Sequence, residues 1–411
     1  MPATPAAARP LRLAAALPVL LAACGGTPAN GAQPEAQASV PAPSADAAPQ
    51  ARAAQGPIVT IPATAAAKPF AETEFATFNE PWALAFLPDG RMLVTQRSGE
   101  LKLFDPATKK TGDVGGVPKV DHGGQGGLGD VALHPKFADN GIVYLSYAEA
   151  GEGDTRGAAV ARAKFTPDAD GGGALSELKV IWRQVPKVDG RGHFSHRLLF
   201  SPDGKSLFVS SGERQHFDPA QDMKSNLGKI VRLNDDGSVP ADNPFASQGG
   251  VAAQVWTLGH RNVLGLAFDA QGRLWEDEMG PRGGDEVNLI VKGDNYGYPV
   301  VSNGDHYDGK DIPDHDTRPE FHAPAISWNP VISPSSLLSY SGDLFPQWKG
   351  HLLIGGLSSQ ALVDVEIDGD KGREAARYDM GKRVRAVVQG PDGAVWLLED
   401  EGSLLKLTPK P

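Results

Sequence analysis

Six short stretches of this chain repeat one local pattern: a polar turn containing glycine, then four to six apolar or β-branched residues. The copies are Pro88-Asp89-Gly90 before RMLVTQ, Asp139-Asn140-Gly141 before IVYLSY, and Pro202-Asp203-Gly204 before KSLFVSSG. Ala270-Gln271-Gly272 before RLWEDE, Trp348-Lys349-Gly350 before HLLIGG and Pro391-Asp392-Gly393 before AVWLLED complete the set. A turn of this composition followed by a short β-prone run specifies a reversal and a strand. Successive repeat glycines lie 43 to 78 residues apart, room enough for a four-stranded antiparallel sheet with its loops. Such sheets placed around an axis protect their edges by radial closure. The expected fold is therefore all-β, a six-bladed β-propeller of four-stranded antiparallel blades; a pair of sandwiches would reuse Asp-Gly turns but not this series of similar units.

The repeats begin only after a long leader. Arg9 and Arg12 precede the apolar stretch LAAALPVLLAA, which is too short to cross a bilayer as a helix and ends in small residues before Cys24, the pattern of an export signal. Leu21-Ala22-Ala23-Cys24 resembles a bacterial lipobox, in which the thiol is acylated and the signal is cut before it. The resemblance implies a lipoprotein-type signal over residues 1–23, lipidation at Cys24, and an envelope-anchored, periplasm-facing protein, with Gly25 pointing to the outer membrane. Residues 24–68, rich in Ala, Pro, Gln, Gly and Ser, cannot bury enough surface to offset chain entropy and read as a disordered tether, with the folded part at 69–411.

Cys24 is the only cysteine, so no intramolecular disulfide or multi-thiolate metal site is available and any metal needs oxygen or imidazole ligands. With 50 Asp and Glu against 39 Lys and Arg, the chain has no electrostatic footprint for nucleic acid, and its only expected membrane contact is the lipid anchor. GxxxxGK[ST], HExxH and GxSxG patterns are absent, which argues against phosphate-cradling, zincin and α/β-hydrolase chemistry.

Four polar constellations flank the repeats. His193, in GHFSHRL, has an imidazole whose ordinary pKa suits proton abstraction, although a surface loop would carry such a His equally well. Arg261 and Asn262, in TLGHRN, offer a donor fork and an amide to a planar, oxygen-rich ligand, or form a structural ion pair. Gly280-Pro281 followed by Asp285-Glu286 combines exposed carbonyls with carboxylates, the hard-oxygen setting that calcium prefers, or simply makes a solvated turn. Arg383 and Arg385, two residues apart in a strand, share a face and can grip a polycarboxylate, unless solvent takes both.

Taken in order, and with GKIVRLNDDGSVPADNP (228–244) and DEVNLIVKGDNYGYP (285–299), these stretches resemble the soluble quinoprotein glucose/sorbosone (aldose sugar) dehydrogenases, over roughly residues 75–409. The resemblance implies pyrroloquinoline quinone (PQQ) and Ca²⁺ as cofactors and oxidation of aldoses at the anomeric carbon to lactones. His193 matches the family's general base, and Arg261 and Asn262 match its quinone contacts. Gln125, Arg383 and Arg385 match further cofactor-binding positions, Gly280 and Pro281 the carbonyls holding the bridging Ca²⁺, and Glu286 and Tyr296 a second Ca²⁺ site. Three positions depart from the glucose-oxidising branch: Gly192 replaces an acid, Arg214 a glutamine contact and Ser358 a cofactor-binding lysine. Without long insertions or extra cysteines, the chain is closest in pattern to the compact aldose dehydrogenases, and is expected to be a monomer passing electrons to an unidentified acceptor. A non-catalytic carbohydrate- or protein-binding propeller and a Ca²⁺-dependent lactonase are the competing readings.

Overall fold

The computed structural model describes residues 54–60 and 64–410; the signal segment, Cys24 and most of the expected tether lie outside the described residues. The chain is all-β, with only 3-10 turns and one four-residue α-helix, Phe137–Asn140, among the described residues.

Each of the six repeats forms the second strand of an antiparallel run of four. These strands are Met92–Gln96, Ile142–Ala150, Ser206–Ser211, Leu274–Glu278, Leu352–Gly356 and Val395–Glu399. Each follows, across its glycine turn, a first strand: Pro81–Phe86, Leu128–Leu133, Ser195–Phe200, Val263–Phe268, Pro334–Ser339 or Val384–Gln389. All six repeat glycines have positive φ, from 65° at Gly141 to 88° at Gly90, which is why this position requires glycine. Aspartates beside them tighten several turns, as where the Arg91 N–H donates to Asp89 Oδ1 at 3.0 Å.

The first strands of consecutive runs pack side by side, and the sixth returns to the first, so that they form a closed circuit. A cavity of about 440 Å³ runs inside it and is lined by residues of all six, including Leu84, Asp130, Leu198, Leu266, Leu337 and Val387. Separate apolar cores lie between neighbouring runs; one joins Met92, Val94 and Phe104 of the first run to Trp396, Leu398 and Leu404 of the last. Second strands are covered on both faces and are buried along nearly their whole length, whereas outer strands such as Phe70–Thr77 are mostly exposed.

Phe70–Thr77 supplies the fourth strand of the last run by pairing with Ser403–Pro409, so the two ends of the folded chain share one sheet. The expected boundary at residue 68 is corrected. Ile58–Val59 pairs in parallel with Ser327 and Trp328, and the Ala66 N–H donates to the Arg377 carbonyl at 2.8 Å. Backbone groups can extend a sheet edge whatever their side chains, so composition alone did not reveal it.

Candidate active site

His193 stands on the loop that leads into Ser195–Phe200. Three residues within this short segment have left-handed backbone, His193 (φ 47°), Ser195 (57°) and His196 (56°). Such conformations are disfavoured for residues with a Cβ and persist only where the surroundings enforce them. Arg214 enforces them here. Its Nε donates to the Gly192 carbonyl at 2.7 Å, Nη2 to Gly190 at 2.7 Å and Nη1 to Arg156 at 2.8 Å, and its guanidinium lies 3.7 Å over the Phe194 ring. Arg214, which replaces a glutamine contact of the glucose-oxidising branch, is here a buried strut beneath the loop. A Cβ at Gly192 would meet only the exposed, flexible side chain of Gln215.

Glu213 completes the pair that sequence reading missed. Its Oε1 makes a short hydrogen bond with His193 Nδ1, and its Oε2 accepts the Phe217 N–H at 2.9 Å. A carboxylate on Nδ1 places the ring proton there and leaves Nε2 as an acceptor. Burial lowers the His193 pKa below its ordinary 6.5; Glu213 opposes that shift and the nearby Arg261 and Arg214 charges add to it. The imidazole is therefore neutral at neutral pH. Gln125 Oε1 fixes the loop from the other side by accepting the His193 N–H at 2.7 Å.

The TLGHRN turn is held by a second carboxylate. Glu278 Oε2 accepts the N–H groups of Arg261 at 2.5 Å and Asn262 at 3.1 Å, while its Oε1 meets His260 Nδ1 at 3.2 Å. Arg261 Nη1 donates to the carbonyls of Met279 (3.0 Å) and Gly280 (2.5 Å), but its buried Nε has no partner. The Glu213 N–H donates to the Arg261 carbonyl at 3.0 Å, and Ser195 Oγ to Asn262 Oδ1 at 3.1 Å, so the His193 and Arg261 segments are tied together.

Of the five expected cofactor contacts, Arg261 lines a different hollow, whereas Gln125, Asn262, Arg383 and Arg385 line one cleft of about 520 Å³ together with Trp82, Phe194 and His196. Arg97, not singled out in the sequence, lines it as well; its Nη2 pairs with Glu80 at 2.6 Å. Arg383 and Arg385 share one partner, their Nε atoms donating to Asp400 at 2.8 and 2.6 Å. Burial alone would raise the Asp400 carboxyl, but the two guanidiniums outweigh it and hold it below the usual range. Ser358 is exposed beside this cleft, next to Leu357, which lines it.

Gly280, Pro281, Glu286 and Tyr296 line a separate hollow with Arg261 and His315. The Tyr296 hydroxyl donates to the Leu289 carbonyl at 2.6 Å, which leaves its backbone carbonyl as the oxygen it can offer a cation. Alongside, buried His260, Glu276 and Glu278 bring potential ligand atoms within 4.8 Å of one another, and Glu276 Oε2 and Asn288 Oδ1 lack partners. Oxygen-rich and buried, with a carboxylate and an amide oxygen left unpaired, this region is chemically suited to a hard cation.

Residues 78–406 match the glucose / sorbosone dehydrogenase family. The chain is 40% identical over 343 residues to aldose sugar dehydrogenase YliI of Escherichia coli (strain K12), an alignment covering 81% of this chain and 91% of that one. The crystal structure of the soluble aldose sugar dehydrogenase from Escherichia coli in the apo-form superimposes with a TM-score of 0.79 at 38% identity, covering 83% of this chain and all of that one. The PQQ-bound form of aldose sugar dehydrogenase from Streptomyces coelicolor does so with a TM-score of 0.67 at 28% identity, covering 84% and 100%.

Proposed function

The chain belongs to the glucose / sorbosone dehydrogenase family and is an oxidoreductase, and from that premise we propose that it oxidises aldose sugars at the anomeric carbon to lactones with PQQ and Ca²⁺. In the same reading the closed circuit of first strands is the axis of a six-bladed β-propeller, and the cleft sits at one end of that axis.

The observation that carries this reading is the His193–Glu213 pair placed beside Arg261, whose buried Nε lacks an acceptor. PQQ is a planar tricarboxylate, and the cleft suits it: Arg97, Arg383 and Arg385 supply guanidinium donors, and Gln125 and Asn262 amide groups. When bound, the quinone supplies a two-electron hydride acceptor, which this side-chain set does not itself contain. Ca²⁺ at the Gly280 and Pro281 carbonyls, with a second ion at Glu286 and Tyr296, would add positive charge beside Arg261.

His193 Nε2 takes the proton of the anomeric hydroxyl as the C–H bond breaks. Glu213, bonded to Nδ1, keeps the ring in the productive tautomer and stabilises the imidazolium that forms. Arg261 presents its free N–H where negative charge develops, and its other donors are already anchored, so little reorganisation is needed. The Cys24 anchor, the periplasm-facing location, the monomeric state and the unidentified electron acceptor are part of the same proposal.

Two outcomes test the assignment directly. Because the base works when neutral and its folded pKa lies below 6.5, the acid limb of a kcat/KM–pH profile is expected below pH 6.5. Glu213→Gln removes the interaction that raises the His193 pKa, so that limb should move further down while the plateau falls; an unmoved limb would remove Glu213 from this role. Arg385→Ala is expected to weaken PQQ binding roughly 10–100-fold, the worth of a charge-assisted hydrogen bond, with a smaller change in the saturated rate. Titrating the purified protein with PQQ, with and without Ca²⁺, reads this without turnover, and equal affinities would remove Arg385 from the cofactor site.

A further inference from the structure

The glycine-rich stretch Gly123-Gly124-Gln125-Gly126-Gly127 does more than present one side chain to the cleft. The Gly126 N–H donates to the Gly123 carbonyl at 2.9 Å and the Gly123 N–H to the Gly126 carbonyl at 3.3 Å, which closes a tight turn with Gln125 at its tip. Gln125 bonds twice to the loop of His193. Its N–H donates to the Arg191 carbonyl at 2.8 Å, and its Oε1 accepts the His193 N–H at 2.7 Å. Gly124, at φ 58°, lies so close to that loop that a Cβ would stand 2.6 Å from the Arg191 carbonyl oxygen, so glycine is required where the two segments meet.

A single carboxylate ties both segments from behind this contact. Asp121 Oδ1 accepts Arg191 Nη1 at 2.7 Å, and Oδ2 accepts Arg156 Nε at 2.7 Å. Arg191 belongs to the His193 loop and Nη1 also reaches the His122 carbonyl at 3.3 Å, while Arg156 Nη1 donates to the Gly190 carbonyl at 3.3 Å. The Gly190 and Arg156 carbonyls are the same ones that Arg214 holds. The Asp121 side chain is 15% exposed and that of Arg156 5%, so solvent and salt screen this pair far less than Asp154, the 90% exposed second partner of Arg156. Burial pushes the Asp121 carboxyl up, but its two guanidinium partners prevail and keep it ionised below the usual carboxylate range.

We propose that Asp121 is a positioning residue for the reaction: shared between Arg156 and Arg191, its carboxylate clasps the turn carrying Gln125 to the loop carrying His193, so that a cofactor contact and the base are placed as one body. This rests on the aldose-oxidising reading of the site. Neither Asp121 nor Arg156 lines the cofactor cleft, so the carboxylate acts on the chemistry only through the segments it joins. A reacting group displaced by about 1 Å can lose up to about 10²-fold in rate, which gives an ion pair outside the cleft its leverage on kcat.

The test measures kcat, aldose KM and PQQ affinity for Asp121→Asn and Arg191→Gln in the full chain, with Gln125→Ala and Asp121→Asn/Gln125→Ala completing a double-mutant cycle. Asparagine offers one acceptor oxygen in place of two, so one guanidinium is released; Arg191→Gln, at a side chain 41% exposed, gives the same reading should Asp121→Asn fail to fold. Expected in either clasp variant is a fall of about tenfold in kcat, with the aldose KM within about threefold of the parent. The double variant should lose little more than Gln125→Ala alone, because both substitutions open the same clasp. Hydrogen exchange on the protein without quinone reads the clasp independently of turnover. Amides of residues 123–127 and 190–193 should exchange about tenfold faster together in Asp121→Asn, while those of Val395–Glu399 stay as in the parent. Additive losses in the cycle, unchanged exchange of either segment, or a kcat within about twofold of the parent overturn the proposal. A parent protein that oxidises no aldose but shows the coupled exchange overturns the catalytic reading and leaves the clasp standing.

Discussion

His193→Ala should yield a protein that folds and binds PQQ yet oxidises aldoses about 10²–10⁴-fold more slowly, the range that a positioned general base contributes. The size of the effect follows from the surroundings. His193 is 5% exposed, kept neutral by burial, and bonded through Nδ1 to a carboxylate that is itself inaccessible, so Nε2 has one free lone pair and no competing partner. No other imidazole substitutes for it: His196 on the same loop turns inward, its Nδ1 on Ser146 Oγ at 2.8 Å and its ring stacked 5.0 Å from Trp82, with its pKa pushed down to about 3 by burial and the Arg197 and Arg214 charges. The measurement is PQQ-dependent reduction of an artificial acceptor, alongside the quinone absorbance titration on the same variant. Retained quinone binding with lost turnover supports the base assignment. Turnover within a few-fold of the parent would sink it, and lactone hydrolysis without quinone would favour the lactonase reading.

Arg197→Met is the largest stability change expected, a loss of about 3–5 kcal/mol, the cost of breaking one side of a buried ion pair. Arg197 projects from Ser195–Phe200 into the circuit of first strands and touches four of the other five. It lies 3.9 Å over the Trp82 ring, reaches Asp130 at 3.5 Å, and donates to the carbonyls of Leu264 at 2.5 Å and Ser335 at 2.6 Å. Met keeps most of the volume but removes the donor to two carbonyls and the countercharge of Asp130, whose carboxylate keeps only the N–H groups of Val131 and Leu198. Burial already raises the Asp130 pKa, with Arg197 opposing that shift, so removing Arg197 raises it further. A carboxyl raised in the folded state has its full stability below its unfolded pKa and loses it as pH rises through the folded value. The deficit should accordingly be larger at neutral pH than near pH 4. Urea unfolding at the two pH values reads both effects, and Arg197→Met/Asp130→Asn should recover part of the loss. A deficit under about 1 kcal/mol would mean that water replaces the guanidinium in the axial cavity.

Much of the fold and part of the site were legible in the chain. Every repeat glycine took positive φ and every run after it became a second strand, because turn chemistry and short-range apolar patterning act through neighbours in sequence. Gln125, Asn262, Arg383 and Arg385 share one cleft, while Arg261, expected with them, lines another hollow. The partners that make these side chains competent were not legible. Glu213 lies twenty residues from His193, and Arg97 nearly three hundred from Arg383; neither belongs to a spacing that chemistry imposes on a local segment. Glu213 had one faint signal, an acid in SGERQ beside a position already under consideration. Arg214, in the same stretch, was a departure at a position matched to a ligand contact; a matching motif locates a Cα and says nothing about where a long side chain points.

By itself, then, the sequence determined where the chain turns, which runs are strands, and which chemistry-bearing residues occupy the loops between them. Those properties depend on φ, propensity and alternation within a few residues. Tertiary structure decided that Phe70–Thr77 completes the sheet of Ser403–Pro409, that Arg197 joins the first strands from within, and that His193 points one nitrogen at Glu213. Each is a contact between distant segments, and only packing of the whole circuit brings those segments within hydrogen-bonding distance.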